Sequence, residues 1–201
     1  MTVIGITGPT GAGKTTVLNV LRAMGGAVAD CDMVYHSLLR SDISMQNALK
    51  ARFGGEIFDE TGDLRRRELG AIVFKDEAAL ADLNAITHRH IIAELRRMVV
   101  QAEAQGRPAI ALDAVALLES GAGKLCDVTI AVTAPQEARV ARVMAREGIP
   151  REYALARVRA QKPDSWFEGQ CTYTLRNDGG QAELEARARA LLTQILNKED
   201  I

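Results

Sequence analysis

Residues 8–15 read GPTGAGKT, which places two glycines, a lysine and a threonine at the spacing G-x-x-x-x-G-K-[ST]. Glycine leaves no Cβ in the way, so the backbone N–H groups of such a loop can approach one phosphate closely. The lysine adds a mobile positive charge, and the threonine offers its hydroxyl to Mg²⁺. The stretch therefore predicts a phosphate-binding loop whose ATP-binding residues are Gly11, Ala12, Gly13, Lys14, Thr15 and Thr16.

Two aspartates follow a strand candidate at residues 27–30. A helix over 14–24 climbs roughly 15 Å and the strand returns about as far, which brings Asp30 and Asp32 back beside the loop. A carboxylate there can orient a hydroxyl, accept its proton and bind metal-coordinated water, whereas the simpler alternative is a helix cap. We predict that Asp32 is the catalytic base and contacts Mg²⁺ together with Thr15. If the strand continues to residue 32, both aspartates share one face.

Arginines recur at one helical spacing further along the chain. Arg139, Arg142 and Arg146 stand at i, i+3 and i+7, just before a break at residues 148–150. Phosphoryl transfer builds negative charge and needs water excluded, so a flap that carries arginine suits the reaction. A solvated basic face is the alternative. We predict that Arg142 acts in catalysis together with Lys14 of the phosphate-binding loop, with Arg157 as the next candidate for the flap arginine.

Short apolar runs that alternate with helical patterns indicate the fold. They predict one α/β domain over residues 1–201, a five-stranded parallel sheet with helices on both faces in three layers. The predicted strands cover residues 3–7, 27–30, 109–113, 128–132 and 173–175. Helices are expected at 33–39 and 181–196, in a helical insertion over 44–105 and in a lid over 136–161. Asp113 ends the third strand and is a further candidate for the metal shell, against a loop cap.

The composition sets limits on the class of protein. Basic and acidic residues number 25 and 26, and 47% of residues are hydrophobic, which is typical of a globular protein and indicates no nucleic-acid surface. The sequence has no apolar run long enough for a membrane span, and the first strand leaves no room for a signal peptide, so we expect a cytoplasmic location. Three scattered cysteines indicate neither a disulfide framework nor a zinc site. The oligomeric state stays open.

Several stretches together resemble the dephospho-CoA kinase family over almost the full length. In chain order they are GITGPTGAGKTTV, ADCDMVYHSLL, GDLRRRELGAIVF, LNAITHRHI, LDAVALLESG, RVMAREGIPREYALARVRAQ and YTLRNDG. The resemblance implies a P-loop kinase that uses ATP and Mg²⁺ to phosphorylate the 3′-hydroxyl of dephospho-CoA, the last step of coenzyme A synthesis. It also implies that the helical insertion holds this acceptor.

The resemblance assigns roles to single residues. Asp32 matches the second aspartate of a D-x-D, the base, and Arg142 matches the lid arginine. Asn177 matches an asparagine near the adenine. The residues expected to bind the acceptor are Thr7, Asp32, Arg66 and His88. The chain departs from the family at Arg89, where proline is common, at residues 115–119, where Pro-Leu-Leu-Phe-Glu is common, and near 171–172, which leaves the acceptor contacts open.

Two other classes of protein share such a loop. A regulatory GTPase needs D-x-x-G at a strand end and N-K-x-D after a core strand. Here DETG at residues 59–62 lies in the helical insertion and NKED at 197–200 trails the last helix. A kinase for a nucleoside, a nucleoside monophosphate or shikimate has the same chemistry with another acceptor pocket, and substrate profiling separates it.

Overall fold

The computed structural model describes residues 1–197 of the chain. Five parallel strands form one sheet in the order β2-β3-β1-β4-β5. The strands are β1 Thr2–Thr7, β2 Ala27–Asp30, β3 Ala109–Asp113, β4 Val128–Thr133 and β5 Tyr173–Arg176. Every predicted strand is present and differs by at most one residue at an end. Because the strands are parallel, their carboxyl ends share one edge of the sheet, where ligands of such folds bind.

Nine helices connect or follow the strands within the described residues. They are α1 Lys14–Ala23, α2 Cys31–Ser41, α3 Ile43–Phe53, α4 Arg66–Val73, α5 Glu77–Ala104, α6 Gln136–Glu147, α7 Arg151–Arg159, α8 Asp164–Gln170 and α9 Gln181–Asn197. The second helix was predicted to begin at Met33, and it begins two residues earlier, directly at the end of β2. None of the helices among residues 1–197 is both long and apolar enough to pass through a bilayer.

The sheet is buried on both faces. On one face α1 and α9 pack over Ile4 and Ile6 of β1, and on the other α2 and α5 pack over Ile110 and Leu112 of β3. Strands covered on both sides need apolar residues at nearly every position, which is why β1 and β3 read as continuous apolar runs. The three predicted layers are therefore confirmed.

Two helical segments stand apart from the sheet. Between β2 and β3, helices α3 and α4 pack on the first turns of α5 around a small core of their own. Between β4 and β5, α6 and α7 form a hairpin held by Val140, Val143, Ala154 and Val158. Gly148, with φ +65°, ends α6 in the left-handed conformation and allows the chain to turn into α7. We call this second segment the α6–α7 hairpin.

Candidate active site

The loop between β1 and α1 is closely packed. Gly8 has φ +131°, and a Cβ at this position would lie 2.1 Å from the carbonyl oxygen of Val132. Gly13 has φ +112°, and its Cβ would lie 2.5 Å from Nδ2 of Asn177. Only glycine fits both positions, because the φ values disfavour other residues and no space exists for a side chain. The path of the loop therefore depends on the two glycines that define the motif.

Lys14 lies within the loop. Its Nζ donates a hydrogen bond of 2.9 Å to the carbonyl of Gly8. Burial lowers the pKa of Lys14, and the carboxylates of Asp113 and Asp32 act in the opposite direction. A phosphate bound at the loop adds negative charge next to the ammonium group and favours its charged form.

A polar cavity of about 410 Å³ opens above the loop. We call it the phosphate-side cavity. It brings together Lys14, Asp32 and Arg142, the residues predicted to be catalytic. The other lining residues are Thr10, Gly11, Gly13, Thr15, Asp30, Asp113, Ala114, Val115 and Arg146. Negative carboxylates thus face positive side chains across one cavity at the carboxyl edge of the sheet.

The two aspartates at the end of β2 and the start of α2 make different contacts. Oδ1 of Asp30 accepts the backbone N–H groups of Asp32 at 2.9 Å and Met33 at 3.1 Å, which caps the amino end of α2. Because α2 begins at Cys31, Asp32 lies in the first helical turn and not on an extended strand. The condition for a shared strand face, a strand that continues to residue 32, is therefore not met. The cap role falls to Asp30, and Asp32 presents its carboxylate to the cavity.

Asp113 ends β3 directly opposite Asp30 in the sheet register. Its Oδ1 is buried and has no hydrogen-bond partner among the described residues. Burial raises the pKa of Asp113 to about 6; Lys14 works against this rise, and Asp30 and Asp32 add to it. Buried polar atoms are normally paired, so the unpaired oxygen fits a ligand that the protein receives from outside. Together with Thr15 and Asp32 it supplies oxygen donors of the kind that Mg²⁺ takes.

A second cavity of about 360 Å³ adjoins the first. We call it the acceptor-side cavity. It shares Asp32, Ala114 and Val115 with the phosphate-side cavity, and most of its wall is apolar. The remaining lining residues are Cys31, Tyr35, Leu83, Asn84, Thr87, His88, Ile91, Ile92, Ala116, Ser120 and Ala122. The cavity lies between α2, α5 and the segment after β3.

His88 and His90 point in different directions, as their spacing on α5 requires. His88 lines the acceptor-side cavity, and burial lowers the pKa of its ring. His90 places Nδ1 2.6 Å from Oδ2 of Asp42, the residue that caps α3. Among residues 1–197 no group of three or more His, Cys, Asp or Glu side chains is arranged to hold a metal ion. His88 therefore stays a candidate acceptor contact, and His90 joins α5 to the corner between α2 and α3.

Two predicted acceptor residues lie outside both cavities. Thr7 is fully buried, and its hydroxyl donates a bond of 3.0 Å to the carbonyl of Val115. It thereby holds the wall that the two cavities share. Arg66 contacts Nδ1 of His36 at 3.2 Å in a separate cavity of about 370 Å³ that shares no lining residue with the other two. Arg66 stays a prediction.

Four further residues with predicted roles lie outside the phosphate-side cavity. Asn177 is buried, and its Nδ2 donates a bond of 2.8 Å to the carbonyl of Ala12. Ala12, Thr16 and Asn177 do not line the phosphate-side cavity, and their contact with ATP stays a prediction. Arg157, the second choice for the flap arginine, pairs with Glu147 and lines neither cavity.

The cavities also contain residues that the sequence analysis did not assign. Tyr35 stands three positions after Asp32 on α2. Asn84 stands four positions before His88 on α5 and shares its side of the helix, and Thr87 stands three positions after Asn84. Helical spacing from the assigned residues was the signal that would have found them.

The first GTPase-like stretch does not meet the loop. Asp59 accepts backbone N–H groups of Thr61 and Asp63 in a local turn, and none of residues 59–62 lines the phosphate-side cavity. Of the second stretch, Asn197 ends α9, and residues 198–200 lie outside the described residues.

Sheet order, glycine loop and facing carboxylates define a kinase of the P-loop class. A solved structure from Thermus thermophilus is 36% identical over 96% of this chain and 97% of its own, with a TM-score of 0.75. The structure of dephospho-CoA kinase from Campylobacter jejuni is 20% identical, has a TM-score of 0.71 and covers 98% of both chains. The structure of a shikimate kinase from Acinetobacter baumannii is 18% identical, has a TM-score of 0.55 and covers 98% of this chain and 94% of its own. At these low identities, the two structures support the fold of this chain and nothing beyond it.

The sequence comparisons go further than the fold. The sequence model of the dephospho-CoA kinase family matches residues 2–183. A curated dephospho-CoA kinase from Corynebacterium diphtheriae is 35% identical over 95% of this chain and 96% of its own. The one from Latilactobacillus sakei is 34% identical over 97% and 96%. The chain belongs to the dephospho-CoA kinase family.

The division of work between the aspartates predicts two different effects on stability. Asp30→Ala should lower the free energy of unfolding by about 1 kcal/mol, because α2 loses its cap. Asp32→Ala should change it by less than about 0.5 kcal/mol. Urea denaturation of both variants measures the difference. A larger loss for Asp32→Ala than for Asp30→Ala would contradict the assignment.

The raised pKa of Asp113 predicts a carboxylate that opposes folding at neutral pH. Its pKa in the folded state lies above the ordinary value of 3.8, so its contribution to stability is lost as the pH rises through about 6. Asp113→Asn should therefore raise the free energy of unfolding by up to about 3 kcal/mol at pH 8. The gain should shrink below pH 6 and vanish below about pH 4.

Urea denaturation across that pH range, without nucleotide or metal, checks this prediction. Asp178→Asn is a surface control, because that carboxylate pairs with Arg187 in solvent, and it should give no comparable gain. A variant at Asp113 that is less stable than the wild type at pH 8 would show that the carboxylate is not strained there.

Proposed function

We propose that this chain transfers the γ-phosphoryl group of ATP to the ribose 3′-hydroxyl of dephospho-CoA, with Asp32 as the base. The product is coenzyme A, and the reaction is the last step of its synthesis. One observation carries the assignment of the base: Asp32 is the only carboxylate among the described residues that lines both cavities. A group at that junction touches an acceptor on one side and a phosphate on the other.

The phosphate side binds and orients the nucleotide. The loop N–H groups at the start of α1 and the ammonium of Lys14 supply positive charge around the β- and γ-phosphates. Arg142 donates through Nη1 to the carbonyls of Gly11 at 3.0 Å and Ala12 at 3.3 Å. From that position a rotation of its side chain brings the guanidinium to the transferring group, where charge develops.

Mg²⁺ fits the same cavity. The hydroxyl of Thr15 and the carboxylates of Asp32 and Asp113 would hold the ion directly or through its water molecules. When bound, the ion neutralises charge on the β- and γ-phosphates. The protein contributes the positions of these oxygen donors, which follow from the loop, from the capped α2 and from the end of β3.

The acceptor side suits a nucleoside better than a small polar acid. Its wall is mostly apolar and includes Tyr35, Ile91 and Leu83, which favours contact with a flat base. His88, Asn84 and Thr87 supply polar groups on one helix. An acceptor base in this cavity leaves its ribose next to Asp32, where the carboxylate can accept the proton of the attacking hydroxyl.

The test combines an acceptor panel with a matched pair of variants. ATP consumption should be high with dephospho-CoA and low with adenosine, uridine, nucleoside monophosphates and shikimate. Asp32→Asn should lower kcat by about 10²- to 10⁴-fold, because a general base is lost, while calorimetry shows unchanged ATP binding. Asp30→Asn keeps an oxygen for the helix cap and should retain most of the activity.

Two results would contradict the proposal. Equal turnover with shikimate or uridine would remove the assigned acceptor. Normal turnover by Asp32→Asn would remove the assigned base, whichever acceptor the enzyme uses.

A further inference from the structure

Thr10 is the point where the phosphate loop meets the α6–α7 hairpin. Its N–H donates a bond of 2.8 Å to Oε1 of Gln161, which follows α7. Its carbonyl accepts a bond of 3.2 Å from Nε of Arg139, and its Oγ1 accepts one of 3.3 Å from Nη2 of Arg146. All three polar groups of this loop residue are thus bonded to the hairpin or to the segment that follows it.

Arg139 joins this contact to two further parts of the chain. Its side chain is only 5% exposed. Nη1 donates to Oδ1 of Asp164 at 2.9 Å, and Nη2 donates to the carbonyl of Val158 at 3.4 Å and to Oε1 of Gln161 at 3.5 Å. One guanidinium therefore connects the phosphate loop, the end of α7 and the start of α8.

The loop also touches the backbone of α6 at this residue. A Cβ on Gly11, which has φ +76°, would lie 2.7 Å from the carbonyl oxygen of Arg139. The loop and α6 are therefore in contact at two levels, backbone against backbone at Gly11 and side chain against carbonyl at Thr10. A shift of the hairpin has to move the loop or break these bonds.

Stability does not explain a buried arginine at this position. Burial lowers the pKa of Arg139, and Asp164 counteracts this change. Replacing a buried ion pair by apolar side chains is often neutral or stabilising, so such a pair is weak evidence for a role in stability. Its planar guanidinium, however, carries donors on three nitrogens that reach the Thr10 carbonyl, Asp164 and the Val158 carbonyl at once, whereas an apolar side chain has no donor and a lysine has all its donors on one nitrogen.

We propose that Arg139 is a positioning residue that holds the phosphate loop and the α6–α7 hairpin in one arrangement, so that loop amides and Arg142 meet the same nucleotide. The proposal rests on the nucleotide half of the proposed function and does not depend on the acceptor. It assigns to the first of the three arginines a role distinct from that of Arg142, since Arg139 acts through Thr10.

Arg139→Lys and Arg139→Met test the proposal. Both should raise the KM for ATP and weaken ATP binding in calorimetry by about 10- to 100-fold, the range expected for lost hydrogen bonds to a charged group. The KM for dephospho-CoA should stay within about twofold of the wild type. Arg139→Lys keeps a positive charge for Asp164 but loses the bond to the Thr10 carbonyl, so it should not restore ATP binding. Arg151→Met removes an exposed arginine from the same hairpin and serves as the control.

A second variant keeps the test informative if the buried substitutions fail to fold. Gln161 is half-buried and carries no charge, and Gln161→Leu removes the acceptor of the Thr10 N–H. It should weaken ATP binding by about 5- to 10-fold with dephospho-CoA affinity unchanged. Thermal unfolding of each variant, measured in parallel, identifies losses that come from unfolding.

Three outcomes would overturn the proposal. The first is a loss of thermal stability by Arg139→Met with ATP binding and kcat within twofold of the wild type. The second is an equal rise in the KM for both substrates, and the third is unchanged ATP binding by Gln161→Leu. Calorimetry with ATP needs no acceptor, so a wild type that does not phosphorylate dephospho-CoA would contradict the proposed function and leave this test intact.

Discussion

The cap that Asp30 places on α2 determines where Asp32, the proposed base, lies. The chain turns from strand to helix with no connecting loop, because the Asp30 side chain accepts the N–H groups that the first turn of α2 leaves free. A looser connection would let the next carboxylate move by several ångströms. With the cap in place, Asp32 is held at the rim of the sheet, between the phosphate-side and acceptor-side cavities.

Charged side chains cluster around Asp32, and the protein does not neutralise all of them by itself. Asp30, Asp32 and Asp113 face Lys14 and two arginines, and burial acts on both signs, lowering the pKa of Lys14 and raising that of Asp113. The proposed nucleotide with its metal ion would bring both a cation and anions to this cavity. The fold therefore carries an electrostatic strain that such a ligand would relieve, as is common where a site is built for binding more than for stability.

Much of this could be predicted from the sequence, because the signals are local. Strands β1 and β3 are apolar runs that end next to Gly8 and at Asp113, and the loop is a spaced motif, so neither signal depends on distant contacts. The cap role of Asp30 could not be assigned, since it depends on where α2 begins, and the helix begins at Cys31 and not at Met33 as predicted. The arginines on α6 look equivalent at helical spacing, yet packing against the loop and α8 buries Arg139 and leaves Arg142 at the cavity.

The departures at residues 115–119 can be understood from the same contacts. The N–H of Ala114 donates to the carbonyl of Ile6 at 3.3 Å, and the carbonyl of Val115 accepts the Thr7 hydroxyl at 3.0 Å. Both bonds use the backbone of the wall segment, so these bonds do not depend on which side chains the segment carries. Of the changed positions, Val115 lies in the wall that both cavities share, Ala116 lines the acceptor-side cavity alone, and Leu118 lines neither cavity. The change at Ala116 therefore bears on the fit of the acceptor.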